Sequence, residues 1–264
     1  MDTMEALTQY YSGYDEDGRL RSRHGMVEFL TTMRYVERYL TPGARILEIG
    51  AGTGRYSHEL ARRGYRVDAV ELVAHNIAVF QKNTLPGENV TIRQGNAVDL
   101  HMLAGETYDI TLLLGPMYHL FTEAEQRQAL TEALRVTKTG GVVFAAYCGN
   151  DATVIQFLFG RGMIREERYQ KLLDPVTFKT ESDPSELFEL YRREDIDALM
   201  AGLPATRLHY VGTDMATNYM RGVVDEMDDG VFQKYLQYHF CICERPDMVG
   251  FSHHILDVFR KAPK

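Results

Sequence analysis

The sequence predicts an α/β fold: a doubly wound, mostly parallel sheet of seven strands, with a helical lid inserted between strands five and six. Two observations support this prediction. Short apolar segments alternate with segments whose apolar residues recur at helical spacing, which indicates successive β–α units. A glycine-rich turn over 50–54 joins the first strand to the next helix, and this corner forms the ligand-binding end of such sheets.

The first part of the chain supplies a cover and five strands. Residues 1–42 are expected to form an N-terminal helical cover, because apolar side chains recur at helical spacing over 27–40 and Thr41-Pro42-Gly43 ends the helix. A helix over 57–63 follows the first strand, and a helix that ends at Gly140-Gly141 precedes the fifth. The five strands are predicted over 46–49, 65–71, 90–97, 108–115 and 142–146.

The remaining residues are predicted to complete the sheet around an insertion. Residues 150–204 exceed what a doubly wound core needs, and insertions at the carboxyl edge of such sheets tend to form substrate pockets. Strands six and seven are expected over 207–213 and 238–243, with a helix over 220–236 between them and a short closing helix over 255–261. The whole chain, 1–264, is then expected to be one domain.

Composition narrows the class of protein. The apolar content of 45% and the charged content of 25% are ordinary for a globular protein, and no apolar run approaches the ~20 residues that cross a bilayer. The N-terminus does not resemble a secretory signal, and three cysteines offer no disulfide framework, so a cytoplasmic location is expected. A net charge of −8 makes a nucleic-acid partner unfavourable.

The glycine turn also indicates the kind of nucleotide. A dinucleotide fingerprint places its third glycine five positions after the first, where this chain has Arg55, and the third glycine comes one residue earlier. Glu48 lies two residues before the first glycine and would repel a pyrophosphate. A ligand with a cationic amino group suits this carboxylate better, which disfavours a nicotinamide-linked dehydrogenase.

The run Glu48-Ile-Gly-Ala-Gly-Thr-Gly54 resembles motif I of the class I S-adenosylmethionine-dependent methyltransferases. The later landmarks fit the same resemblance: an acidic residue, Glu71, ends the second strand, and Asn96 follows the third. In this family the first carboxylate lies near the amino acid end of the cofactor, the second accepts hydrogen bonds from the ribose, and an acidic residue, here replaced by Asn96, faces the adenine. The resemblance also implies an antiparallel seventh strand between strands five and six.

The resemblance implies S-adenosylmethionine as cofactor and a set of residues that hold it. Aromatic N-terminal segments often close over the cofactor in this family, so Tyr11, Tyr14 and Arg19 are candidates for that cover, although packing of a surface helix explains them equally well. The predicted cofactor set is Tyr14, Arg19, Glu48, Gly50, Ala51, Gly52, Glu71, Leu72, Asn96, Ala97, Leu114 and Gly115.

The acceptor side is expected at the end of the fourth strand and in the lid. His119 is the candidate general base, and Tyr118 and His119 are candidate substrate contacts together with Phe157 and Arg161 from the lid. A base is needed only where the acceptor must lose a proton, and a structural role for His119 stays open. Packing within a helical cap is the alternative for the two lid residues.

No metal is expected. His239, Cys241 and Cys243 would share one face of the predicted seventh strand, with 253–254 nearby, but Cys-x-Cys lacks the spacing of structural zinc sites.

The predicted function is methyl transfer to a small-molecule acceptor through O, N or S. The alternatives are a methyltransferase that acts on a macromolecule such as rRNA or a protein, and a non-catalytic module that binds S-adenosylmethionine. The oligomeric state is open.

Overall fold

The computed structural model describes residues 7–11, 22–182 and 188–263. Within these ranges eight strands form one sheet in the order β3-β2-β1-β4-β5-β8-β7, and β6 pairs with β5 beside this path. The strands are β1 (Arg45–Ile49), β2 (Arg66–Glu71), β3 (Val90–Gln94), β4 (Tyr108–Leu113), β5 (Thr137–Gly149), β6 (Leu190–Tyr191), β7 (Ala205–Gly212) and β8 (His254–Lys261).

Strand direction determines where a ligand can bind. Strands β1 to β6 pair in parallel, and only β8 runs antiparallel, between β5 and β7. The order of the strands reverses between β1 and β4, and ligands of open α/β sheets bind at such a switch point, outside the carboxyl ends of the strands. The doubly wound sheet and its antiparallel strand confirm the predicted fold class.

Helices cover both faces of the sheet, and residues 7–11 are helical as well. Phe29, Met33 and Leu60 pack on one face, and Leu130 and Leu134 pack on the other, so each face has its own apolar core. The helices are α1 (Arg23–Glu37), α2 (Arg55–Arg62), α3 (Ala74–Asn83), α4 (Glu123–Val136), α5 (Asn150–Thr153), α6 (Glu167–Gln170), α7 (Arg193–Met200), α8 (Arg221–Asp225) and α9 (Asp229–Ile242).

The prediction of a strand over 238–243 is wrong, because these residues form the last turns of α9 and the residue after it. Asp228 begins this helix by accepting a hydrogen bond from the Val231 N–H at 2.8 Å. Buried Phe232, Leu236 and His239 then follow at helical spacing. The predicted common face of His239, Cys241 and Cys243 does not exist, because Cys241 is exposed whereas the other two are buried. The helix predicted over 220–236 is two helices, α8 and α9.

The closing helix predicted over 255–261 is also wrong, because this segment is the strand β8. Its charged residues suggested an amphipathic helix. The carboxylate of Asp257 is instead fully buried in the sheet, where it accepts hydrogen bonds from Arg207 Nε at 2.6 Å and Nη2 at 2.9 Å. Arg207 of the neighbouring strand β7 thus provides the hydrogen bonds that water would provide to an aspartate on an exposed helix.

The insertion predicted over 150–204 consists of short elements. It contains α5, α6, α7, the strand β6 and a π-helical segment, Val154–Phe159. None of the helices in the described part of the chain combines the length and the apolar character that crossing a membrane requires.

Candidate functional site

A cavity of about 630 Å³ lies at the carboxyl ends of β1, β2 and β4, where the strand order reverses. Every predicted cofactor residue within the described ranges lines it, namely Glu48, Gly50, Ala51, Gly52, Glu71, Leu72, Asn96, Ala97, Leu114 and Gly115. Tyr14 and Arg19 lie outside the described residues. Residues that are distant in the sequence therefore meet in one place because parallel strands end at one edge of the sheet.

The glycine loop needs its glycines for two reasons. Gly50, Gly52 and Gly54 all have positive φ values, +75°, +53° and +91°, which other residues rarely adopt. A Cβ at Gly50 would also lie 2.5 Å from Pro116 Cδ, so the loop packs directly against the turn that follows β4. The N–H of Gly50 donates to the Val70 carbonyl at 2.8 Å, which fixes the start of the loop to β2.

Glu71 organises the loop from the end of β2. Its Oε2 accepts a hydrogen bond from the Gly52 N–H at 2.8 Å, and its Oε1 accepts from the Val73 N–H at 2.9 Å and from Asn76 Nδ2 at 3.4 Å. The carboxylate is buried and lines the cavity. Two backbone donors on opposite oxygens hold this side chain in one orientation at the position predicted for ribose recognition.

Glu48 is almost completely buried beside the loop, where its Oε2 accepts a hydrogen bond from the Ser57 hydroxyl. Burial raises the pKa of Glu48 to about 8, and the nearby Glu71 carboxylate adds to this while the Ser57 hydrogen bonds oppose it. A cationic group in the cavity would favour the ionised form. The carboxyl group therefore suits the ammonium or sulfonium type of charge that the sequence suggested.

Arg55 also lines the cavity, and sequence reasoning did not assign it a role. Its guanidinium stacks over the Phe29 ring, with Cζ 4.4 Å from the ring centroid. Its Nε is buried and has no hydrogen-bond partner among the described residues. A buried donor without a partner is costly, so this N–H fits an anionic group bound in the cavity. The only sequence signal was the position of Arg55 directly after the third glycine.

The adenine end of the predicted site lies after β3. Asn96 is exposed, and its Oδ1 accepts a hydrogen bond from the Val98 N–H at 3.2 Å, while Ala97 is buried beside it. The amide oxygen thus already stabilises the turn that follows β3, and the NH₂ group of Asn96 remains as a hydrogen-bond donor. Leu114 and Gly115, with φ +138° at Gly115, form the opposite wall after β4.

Aromatic rings from three separate segments meet at the predicted acceptor side. Tyr118 and His119 lie in the 3₁₀ turn Pro116–His119 and both line the cavity. The Tyr11 hydroxyl lies 2.8 Å from His119 Nε2, so the N-terminal helical segment contacts the candidate base. The Phe188 ring lies 5.2 Å from the His119 ring, centroid to centroid. Tyr11, named as a cover residue, thus reaches the cavity.

The two predicted lid contacts lie elsewhere. Phe157 and Arg161 do not line the cavity. The Phe157 ring packs 5.9 Å from the His253 ring, and the Arg161 guanidinium lies over Phe157, with Cζ 4.5 Å from the centroid. Short turns direct this part of the insertion away from the cavity, and Phe188 at its far end approaches His119 instead.

A second polar group, absent from the sequence prediction, lines the cavity on the β8 side. Glu28, Thr213 and His254 face the same space. His254 Nδ1 lies 2.9 Å from Asp214 Oδ2 and 3.3 Å from Glu28 Oε2. Burial lowers the pKa of His254, but the two carboxylates outweigh it and raise that pKa well above its usual range. Assigning 255–261 to a helix concealed that His254 begins a strand at the ligand-binding edge.

Comparison with known proteins adds an independent finding. Residues 46–141 match the family model described as a methyltransferase domain. The chain is 26% identical over 200 residues to the ubiquinone biosynthesis O-methyltransferase of Hahella chejuensis, covering 73% of this chain and 81% of the relative. A relative with the same description from Methylocella silvestris is 34% identical over 134 residues, 48% of each chain.

Solved structures share the fold. An S-adenosylmethionine-dependent methyltransferase from Methanosarcina mazei is similar with a TM-score of 0.57 at 16% identity, covering 87% of this chain and 98% of that one. Phosphoethanolamine N-methyltransferase 1 of Haemonchus contortus, in complex with phosphoethanolamine and S-adenosylhomocysteine, is similar with a TM-score of 0.61 at 14% identity, covering 100% of this chain and 49% of that one.

Proposed function

Because the chain belongs to the class I S-adenosylmethionine-dependent methyltransferases, we propose that it transfers the methyl group of this cofactor to an oxygen atom of a small-molecule acceptor. The observation that carries the proposal is one cavity that joins the glycine loop, Glu71 and the pair Tyr118–His119. Cofactor-binding and acceptor-binding residues must share one space for direct transfer. The O-methyltransferase relatives support oxygen as the acceptor atom.

The cofactor's charges match the side chains of this cavity. We assign the ribose hydroxyls to the Glu71 carboxylate and the amino group to Glu48, whose burial disfavours a charge that lacks a cationic partner. We assign the carboxylate to Arg55, whose buried Nε has no partner among the described residues. The adenine is assigned to Asn96, Ala97 and Leu72, which line the cavity just after β2 and β3.

When bound, the cofactor supplies a methyl group on a sulfonium, which is a good leaving group. The protein's part is then to orient the acceptor, exclude water and remove a proton from its hydroxyl. We assign that proton to the imidazole of His119. Its Nε2 lies 2.8 Å from the Tyr11 hydroxyl, which orients the ring. The rings of Tyr118 and Phe188 shield this position from water.

Two properties of the chain make an RNA acceptor and a purely cofactor-sensing role less suitable. A net charge of −8 opposes the phosphate backbone of an RNA acceptor. A module that only senses the cofactor does not need a histidine held at the far end of the cavity by a separate segment of the chain.

We also propose a cytoplasmic location, because Cys148, Cys241 and Cys243 are all free thiols. Cell fractionation with an antibody against the protein tests that location.

The proposal is tested with cofactor carrying a ¹³C-methyl group and a panel of phenols, alcohols, amines and thiols. We expect methyl signals with the chemical shift of an O–CH₃ group, together with stoichiometric S-adenosylhomocysteine. Products with an N–CH₃ or S–CH₃ shift would refute oxygen as the acceptor atom. The variant Glu59→Gln is the matched control, since its carboxylate pairs with Arg62 and Arg63 away from the cavity.

A further inference from the structure

We propose that the β8 side of the cavity binds a divalent transition-metal ion through Asp214, His253 and His254, with Glu28 as a neighbouring carboxylate. This inference rests on the proposed function, because the ion would hold the acceptor oxygen beside the bound cofactor. It departs from the sequence expectation of no metal. His253 and His254 were among the residues considered there, but their partner is Asp214 and not the cysteines at 241 and 243.

The three side chains converge on a single point. His253 Nδ1 lies 3.4 Å from His254 Nδ1 and 4.0 Å from Asp214 Oδ2, and His254 Nδ1 lies 2.9 Å from Asp214 Oδ2. In a tetrahedral site with metal–ligand distances of about 2.0–2.1 Å, neighbouring ligand atoms lie about 3.4 Å apart. These three spacings bracket that value, so shifts of about half an ångström make room for an ion.

Asp214 is oriented for this task by its own hydrogen bonds. Its Oδ1 accepts from the Ser252 hydroxyl at 2.7 Å, from the His253 N–H at 2.9 Å and from the His254 N–H at 3.1 Å. The other oxygen, Oδ2, is thereby directed at the two imidazole rings. Hydrogen bonds that fix a ligating carboxylate in this way are typical of metal sites.

The donor set indicates the class of ion. Two imidazole nitrogens and one carboxylate oxygen suit Zn²⁺, Fe²⁺ or Mn²⁺ better than Mg²⁺ or Ca²⁺, which prefer oxygen ligands. Glu28 Oε2 lies 3.3 Å from His254 Nδ1 and brings a second negative charge. The exposed fractions of the Glu28 and Asp214 side chains are 13% and 8%, so a dication would neutralise two shielded carboxylates.

The position of the cluster connects it to methyl transfer. Of the three ligands, His254 lines the cavity, as do the neighbouring Glu28 and Thr213, whereas Asp214 and His253 lie behind this lining. Three protein ligands leave a fourth coordination position open, as in catalytic zinc sites. A hydroxyl acceptor bound there would have its pKa lowered by the ion. The proton of that hydroxyl would pass to the His119 imidazole assigned above, while the O–CH₃ bond forms and the C–S bond breaks with its electron pair left on sulfur.

Hydrogen bonds alone provide the competing explanation. In that case the imidazole of His254 simply pairs with Asp214 and Glu28, and the His253 ring only packs against His254 and Phe157. The two explanations differ in what His253 contributes, because this ring nitrogen is needed for an ion and not for the His254–Asp214 pair.

The experiment uses the full, untagged chain after treatment with a chelator. Zn²⁺ and Mn²⁺ are titrated by calorimetry, and Co²⁺ is followed by its visible absorption, which reports tetrahedral coordination by nitrogen and oxygen. We expect one ion per chain, and at least about tenfold weaker binding in His253→Ala and Glu28→Gln. The control is His101→Ala, whose exposed ring lies beside Asp99 outside the cavity. It is expected to bind as the parent protein does.

The absence of saturable binding at one ion per chain would overturn the metal site, as would equal affinity in His253→Ala and the parent protein. Thermal unfolding verifies that each variant is folded. S-adenosylhomocysteine binding is measured on the metal-free protein to keep the two proposals separate. If the protein binds S-adenosylhomocysteine but no metal ion, only the metal site is refuted. If the folded protein does not bind S-adenosylhomocysteine, the proposed function is refuted.

Discussion

Replacing Glu71 by glutamine tests the cofactor assignment most directly. The carboxylate accepts from the Gly52 N–H at 2.8 Å and from the Val73 N–H at 2.9 Å, one on each oxygen. Glutamine has only one acceptor oxygen, so its NH₂ group must face a backbone donor or a ribose hydroxyl. A hydrogen bond to a charged group contributes about 1.5–3 kcal/mol. The expected loss corresponds to a rise of about 10- to 150-fold in Kd.

Isothermal calorimetry with S-adenosylhomocysteine measures this change, with Glu59→Gln as the control for loss of a carboxylate outside the cavity. Circular dichroism and thermal unfolding of Glu71→Gln establish that the sheet is intact. A Kd within about twofold of the parent value, in a folded variant, would show that Glu71 only supports the loop and does not bind the ribose.

Three further outcomes follow from the same geometry. Gly50→Ala forces a Cβ to 2.5 Å from Pro116 Cδ at φ +75°, whereas the control Gly87→Ala has φ +90° and open space around its Cβ. Urea unfolding should show that Gly50→Ala is less stable than Gly87→Ala by about 1–3 kcal/mol. Equal free energies of unfolding would contradict the packing of Gly50 against Pro116. Burial raises the pKa of Glu48 to about 8, so between about pH 4.5 and about 8 the folded state binds a proton that the unfolded state has lost, and stability falls as pH rises through that range. Glu48→Gln should remove this dependence of the unfolding free energy on pH, which amounts to at most about 1.4 kcal/mol per pH unit. An unchanged dependence would refute a buried neutral carboxyl. His119→Ala should lower kcat by about 10²- to 10⁴-fold with S-adenosylhomocysteine affinity unchanged, and unaltered kcat in steady-state assays would make this residue structural.

Local patterns predicted the first five strands because each is a short segment that contains β-branched or other apolar residues and is bounded by turn residues. The glycine loop was predictable for the same reason: positive φ at Gly50 and Gly52 restricts which residues can stand there. The errors at 238–243 and 255–261 arise where tertiary pairing decides. Asp257 is acceptable in a central strand only because Arg207 of β7 reaches it, and that pairing has no local signal.

The residues of the candidate site also separate into those that local sequence predicts and those that tertiary packing places. Residues that directly follow a strand, such as Glu71 and Leu114, were predictable because the chain order of parallel strands places their ends together. Glu28, Arg55 and His254 reach the cavity from α1, α2 and the antiparallel β8, so their positions depend on packing. Phe157 and Arg161 were misplaced because the short turns of the insertion carry no periodicity that fixes its path.

The charge of the cavity gives the proposed reaction a direction. Glu28, Glu48 and Glu71 line it, and the bound sulfonium carries a positive charge that the thioether product lacks. The attraction between these carboxyl groups and the ligand therefore weakens as the methyl group leaves, although Glu48 keeps the ammonium partner assigned to it, because the product retains its amino group. The contact proposed for Arg55, in contrast, is with a carboxylate that cofactor and product share. The carboxyl groups of the cavity thus distinguish the two forms through the charge on sulfur, whereas the ammonium and carboxylate contacts supply affinity that both forms share.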